Sequence, residues 1–244
     1  MLESFKNYSS SQKKKDRTNG ENYRPVSNIV FVSKIVESAV FKQVFEHFTQ
    51  NNLWHPNHHG FRPGHSTVTA LAQLQNIWIE AAEKRKLTAA LLLDLSAAFD
   101  GVDHGILLGK LELYGLSGSS ITWFKSYLEE RYQHVMVESS LSYPLSVGRQ
   151  GVPQGSLLGP LCFLIFYNDF PVTREVGESV LYADDDMDNV SSECPTNLQH
   201  MIQMEADLSV AWVNDNRLVC SGSKTKLLVV GTRELRRSKL ESIE

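Results

Sequence analysis

Two uncharged runs that each end on a carboxylate narrow the fold more than any other feature of this chain. Leu87 to Leu93 carries no charge and stops at Asp94. Val180-Leu181-Tyr182-Ala183 stops at Asp184 and Asp185. Runs of this length read as buried strands, because a strand covered on both faces needs no polar alternation. A carboxylate beside apolar strands is costly unless it is paired or bound to a cation. If the two runs lie side by side, their ends make an oxygen cage suited to Mg²⁺. Taken alone, Asp184 to Asp186 also reads as a plain acidic turn, since Asp is common in turns.

The rest of the chain supplies helices around these strands. Ile35, Val40, Phe41, Val44, Phe45 and Phe48 recur at helical spacing. A stretch with Pro56, Gly60, Pro63 and Gly64 interrupts them, and the His58-His59 pair within it reads as polar loop. Ser66 is placed to cap a helix bearing Leu71, Leu74, Ile77 and Trp78. Asp103 is placed to cap another, with Leu107, Leu111 and Tyr114 on one side and Gly115 at its end. Ile121, Phe124 and Leu128 mark a third. Tyr132–Glu138 and Leu145–Arg149 predict a strand pair about a turn at Ser142 to Pro144.

Ser156–Tyr167 is apolar all round and predicts a buried helix, with Pro160 in its first turn. Leu198, Met201, Ile202, Glu205, Leu208 and Trp212 describe a further helix, and Arg217–Cys220 and Lys226–Gly231 two short strands. Residues 9–22, with Lys13, Lys14 and Lys15, and the charged end from Arg233 read as solvated tails. Strands and helices without regular alternation indicate an α+β protein.

Composition excludes little. Three widely spaced cysteines argue against a disulfide framework and against structural zinc. The longest apolar run without a charge, 155–168, is too short to span a bilayer, and no secretory signal follows Met1. A soluble intracellular protein with no membrane partner is the expectation. The net charge of −4 does not by itself suggest a nucleic-acid binder.

Ordered motifs sharpen the reading. Asn22-Tyr23-Arg24-Pro25-Val26-Ser27, Gly60-Phe61-Arg62-Pro63-Gly64-His65-Ser66-Thr67 and Asp94-Leu95-Ser96-Ala97-Ala98-Phe99-Asp100 come first. Gly151-Val152-Pro153-Gln154-Gly155-Ser156, Tyr182-Ala183-Asp184-Asp185 and Lys224-Thr225-Lys226 follow. From Asn22 to Gly231 this series resembles the reverse transcriptases of non-LTR retrotransposons.

The resemblance implies a right-hand polymerase: an antiparallel palm sheet packed on helices (87–232), a fingers-like helical region (22–86), flanking tails at 1–21 and 233–244, and no thumb. It implies RNA-directed DNA polymerisation with two Mg²⁺ ions, or Mn²⁺ in their place, on an RNA template, a DNA primer and dNTPs. Asp94 and Asp184 match the metal-binding aspartates, with Asp185 a less direct neighbour and the Leu95 carbonyl assisting. Phe99 matches the aromatic beneath the incoming sugar, where a ring excludes a 2′-hydroxyl. Gln154 and Gly155 match residues that approach the nucleotide. Arg24 and Arg62 match fingers arginines suited to phosphate oxygens, and Lys224 a lysine that protonates the leaving pyrophosphate. Asp100 and His104 belong to the pattern as helix-capping and packing residues.

Three departures stand out. Asp186-Met187-Asp188-Asn189 follows the aspartate turn where relatives re-enter the core, Ser221 replaces a common asparagine, and a polar tail replaces the opening fingers strand. They motivate an alternative, a truncated remnant that binds RNA without copying it.

Overall fold

Residues 4–9, 24–137 and 140–232 are described by the computed structural model. The chain forms two compact units, each assembled from two segments: residues 1–53 with 99–166, and residues 54–98 with 167–244. The expected division at residue 87 followed chain order, whereas compactness follows sheet pairing, which joins segments far apart in sequence.

In the first unit, β1 (Ser4–Ser9) pairs antiparallel with β2 (Arg24–Asn28) and parallel with β4 (Tyr132–Val137). Two short strands, β5 (Ser140–Leu141) and β6 (Leu145–Ser146), pair with β4. The polar tail expected over residues 1–21 therefore does not hold for Ser4–Ser9. Its backbone groups are taken up on both edges, a tertiary gain that local composition does not register. The lysine run, Asn22-Tyr23 and the charged end lie outside the described residues.

The helices of this unit surround a buried one. α1 spans Phe31–Gln50, α3 His104–Leu113 and α4 Ser119–Leu128. The Asp103 side chain caps α3 as expected, accepting from the Ile106 N–H at 3.0 Å. α5 (Leu158–Tyr167) is wholly apolar, and its residues from Leu161 to Phe166 are at most 1% exposed. Its amino end is closed by two side chains: Ser156 Oγ accepts from the Gly159 N–H at 2.7 Å, and Glu37 accepts from Leu157 and Leu158 at 2.8 and 3.4 Å. A carboxylate there also meets the positive end of the helix dipole. At the other end, the buried Lys110 donates to the Phe166 carbonyl at 2.7 Å.

The second unit is built on a four-stranded antiparallel sheet. Its strands are β7 (Glu178–Tyr182), β8 (Asp185–Ser192), β3 (Leu87–Leu93) and β9 (Lys226–Val230), in that spatial order. The two uncharged runs thus reach the same sheet, with β8 between them. α6 (Pro195–Asp215) covers one face through Leu198 and Ile202 on Leu87, Ala89, Leu91 and Val190. α2 (Thr67–Glu83) covers the other through Ala70 and Leu74 on Val180. Ser66 caps α2 in a reciprocal box with Thr69. No strand forms at Arg217–Cys220, where Cys220 makes a single bridge to Leu95. Among the described residues no helix is long and apolar enough to cross a membrane.

Strand β8 contains the Asp-Met-Asp-Asn departure and still forms, with partners brought to Asp188 and Asn189. Asp188 is fully buried on the α6 face. It accepts from Arg174 at 2.8 Å, from Ser209 at 2.7 Å and from Ser179. Glu205 closes the cluster: one of its oxygens accepts from the backbone N–H groups of Glu175, Val176 and Gly177 at 3.2, 2.8 and 2.8 Å. Its other oxygen lies 3.6 Å from Arg174 Nε. On the α2 face, Asn189 accepts from the Trp78 indole at 2.9 Å.

Candidate active site

The β-ladder fixes how the acidic sites meet. Leu93 of β3 is paired with Asp186 of β8, and Leu92 with Met187. Continuing that register by one residue sets Asp94 against Asp185. Asp184 and Ala183 form the two-residue turn between β7 and β8, where Tyr182 pairs with Asp185. Ala183 has φ of 58°, the left-handed region that a tight hairpin of this length requires at its first turn residue. All three carboxylates are therefore at one end of the sheet. Burial first, then the charges of Asp184 and Asp94, push the Asp185 pKa up.

Asp94 and Asp185 border a cavity of about 410 Å³ on the α2 face, with Leu71, Met187 and Tyr182 as apolar wall. Lys224 also lines it, and its Nζ lies 3.2 Å from Asp94 Oδ1. The backbone around Asp94 is tied down as well: Ser221 donates to the Asp94 carbonyl at 2.8 Å, and Ser96 to the Val219 carbonyl at 2.8 Å. Those bonds flank Leu95 and do not use its own carbonyl oxygen. Among the described residues, no three His, Cys, Asp or Glu side chains are already gathered at metal-holding distance.

Asp186 points the other way along the pleat. It is buried, and among the described residues neither carboxyl oxygen has a hydrogen-bond partner. Burial, reinforced by Asp188, holds its pKa well above the ordinary carboxylate range.

In the first unit, Phe99 stacks on Phe163 with ring centroids 4.6 Å apart and remains half-buried. Its carbonyl accepts from the Val152 N–H at 2.9 Å. Gln154 donates from Nε2 to Asp100 at 3.1 Å, and its carbonyl accepts from the Ser27 N–H at 2.8 Å. Phe99, Asp100, Gln154 and the strand that begins at Arg24 are thus mutually fastened. Asp100 serves here as an exposed acceptor for Gln154, where the sequence suggested helix capping and packing. His104 fits its packing role, with Nε2 2.8 Å from the Gly151 carbonyl. Gly155 and Gly151 have φ of 101° and 89°. A Cβ on Gly151 would sit 3.2 Å from the Asp100 carbonyl oxygen, so both conformation and space favour glycine.

Arg62 lies in the second unit, where its guanidinium donates to the carbonyls of His55 and His58 at 2.7 and 2.9 Å. His58 and His59 are buried, which corrects the expectation of a polar loop. His59 is held between Thr69 at 2.9 Å and Gln73 at 2.6 Å, both on α2. His58 packs edge-on to Tyr167, and burial, then the Arg62 charge, push its pKa down to about 3. Sequence reasoning missed both, because only β7 and α2 make that segment an interior one.

Comparison with known proteins agrees with this arrangement. The profile of the family described as reverse transcriptase (RNA-dependent DNA polymerase) matches residues 12–239. A probable RNA-directed DNA polymerase from transposon BS of Drosophila melanogaster is 33% identical over 205 residues, covering 79% of this chain and 22% of its own length. The RNA-directed DNA polymerase from mobile element jockey of the same organism is 34% identical over 179 residues, 70% of this chain and 19% of the relative. The chain thus spans about a fifth of the curated relatives it matches. Among solved structures, a telomerase from Candida tropicalis aligns with a TM-score of 0.62 at 11% identity, over 85% of this chain and 39% of that one. An RNA-dependent RNA polymerase of a human picobirnavirus aligns at 0.59 and 12% identity, over 93% and 41%. Those likenesses establish the polymerase fold. With a family match over nearly its whole length and transposon relatives a third identical, the chain belongs to the reverse transcriptase family, among the domains of non-LTR retrotransposons.

Proposed function

We propose that this chain carries out RNA-directed DNA synthesis, with Asp94 and Asp184 holding two Mg²⁺ ions and Asp185 beside them. The observation that carries the reading is the register of β3 on β8, which brings Asp94 level with the Asp184-Asp185 turn. Members of this family generally use divalent metal ions. The donor set fits such an ion: hard carboxylate oxygens, with the proton affinity of Asp185 raised by burial and then by its neighbours' charges, and a lysine ammonium already drawn to Asp94. When bound, the ions supply activation of the primer 3′-hydroxyl and stabilisation of the pyrophosphate oxygens.

The chain's own residues do the rest. Asp94 and Asp184 fix the charge at which the α-phosphate of a dNTP is attacked. The Leu95 carbonyl oxygen, unused by its neighbours' strand bonds, adds a neutral donor. Lys224 holds a proton for the departing pyrophosphate. Phe99, backed by Phe163, presents a rigid ring that rejects a 2′-hydroxyl. Gln154 and Gly155 bring backbone and amide to the nucleotide, and Arg24 offers a fork to phosphate oxygens. An RNA template and a DNA primer would be gripped through their phosphates, so binding weakens steeply with salt.

The test is extension of a DNA primer on an RNA template by the purified chain with Mg²⁺. Asp94→Ala and Asp184→Ala are expected to abolish extension; a mutant that still extends would refute the assignment.

A further inference from the structure

We infer that the loop from Trp54 to Arg62 latches the aspartate hairpin, and that Gly60 and Arg62 are positioning residues for Asp184 and Asp185. The inference rests on the polymerase reading above and reassigns Arg62 from phosphate oxygens to the hairpin.

The hairpin has two flanks. On one, β8 is bonded to β3 along its length. On the other, the outer edge of β7 is closed by the loop: Leu181 donates to the Asn57 carbonyl at 2.9 Å, and His59 donates to the Leu181 carbonyl at 2.8 Å. The loop then passes over the turn itself. A Cβ on Gly60 would lie 2.2 Å from the Ala183 nitrogen and 2.9 Å from its Cα. What it would strike is turn backbone, which no side-chain rotation relieves. Ala183 is in the left-handed region, where a residue with a Cβ is strained. Such a conformation persists when its surroundings over-determine it, and the Gly60 backbone pressed on Ala183 is that surrounding.

Arg62 holds the loop in the shape that makes this possible. Its two bonds, to the His55 and His58 carbonyls, tie the start and middle of the loop to its end. Its guanidinium also lies 5.9 Å from the Trp54 ring centroid. The His55 N–H is anchored in turn to the Asn168 side chain at 2.9 Å. Both bonds come from Nη1, and a lysine at 62 lacks the planar guanidinium that donates them while facing the Trp54 ring.

Gly60→Ala and Arg62→Lys in the full chain test the latch by two readouts. The first is hydrogen exchange over residues 178–187, expected to quicken in both variants at the Leu181 and Ala183 amides. The second is primer extension against dNTP concentration. There kcat is expected to fall on the order of 100-fold, the cost of a misplaced reacting group, with KM for dNTP unchanged within about twofold. Hairpin exchange equal to wild type in both variants overturns the latch. So does an Arg62→Lys enzyme with raised KM and intact kcat, which would mark a triphosphate contact. If Gly60→Ala does not fold, Arg62→Lys decides. A wild-type chain that extends no primer sinks the polymerase reading alone, and exchange still judges the latch.

Discussion

Asp185 and Asp188 lie three residues apart on one strand and have opposite fates. Asp185 faces the α2 side at the mouth of a cavity, exposed, beside Asp94 and Asp184. Asp188 faces the α6 side, has no exposed surface, and is closed in by Arg174, Ser179 and Ser209. The pleat decides which is which, because successive side chains point to opposite faces. The open face leaves Asp185 exposed, whereas the closed face pairs Asp188 with a guanidinium and two hydroxyls. A buried carboxylate on this strand is therefore compatible with the fold where partners come with it, as at Asp188, whereas Asp186 lacks one among the described residues.

The largest expected effect separates the faces by activity. Asp184→Asn should lower primer extension by on the order of 1,000-fold, as loss of a preorganised charge at the reacting centre does, while leaving the urea midpoint in place. If stability dropped instead, the open face would be structural. The converse change is Arg174→Met, which strands Asp188 and Glu205 without their cation. Equilibrium unfolding should show a loss of about 3–5 kcal/mol. A small loss would mean that water reaches the cluster.

pH sharpens the same contrast. His58 is held neutral with a pKa near 3, against an ordinary value of 6.5. The unfolded chain therefore takes up a proton that the folded chain refuses, and stability falls as pH drops below about 6.5 toward 3. His58→Phe, which keeps a ring against Tyr167, should flatten that limb in thermal melts run across this range.

Asp186 acts in the opposite direction. Its folded pKa is raised, so above the ordinary value of 3.8 the unfolded chain releases a proton that the folded chain keeps. Stability then declines as pH rises, until the buried carboxyl itself ionises. Asp186→Asn should stabilise by about 1 kcal/mol at neutral pH and by nothing well below pH 3.8, read from paired melting curves. The smallest effect belongs to Lys224→Met. Its ion pair with Asp94 joins side chains 66% and 37% exposed, so stability should move by less than about 1 kcal/mol. A larger change would place Lys224 among the supports of the sheet.

Much of this molecule is legible in its sequence. The uncharged run at 87–93 became one of the two interior strands of its sheet, because a short apolar run without alternation suits a strand covered on both faces. The caps at Ser66 and Asp103 were readable because side-chain oxygens at helix starts act locally. The motifs from Asn22 to Lys226 placed the chain in its family. Other features were invisible for the same physical reason in each case. The strand at Ser4–Ser9 exists through pairing with β2 and β4, which its own residues do not advertise. The histidines at 58 and 59 look like loop residues until β7 and α2 enclose them.

By itself, the sequence picked out the candidate site residues: the carboxylates at 94, 184 and 185, the aromatic at 99 and the glutamine at 154. Local chemistry and ordered spacing carry that information. Only the tertiary structure decided what each neighbour of those residues is for. It turned Asp186 and Asp188 to the closed face, gave Arg62 to its own loop, and set Gly60 against the turn. Those outcomes depend on strand register and on backbone approach between segments distant in the chain, and a one-residue slip would exchange every face.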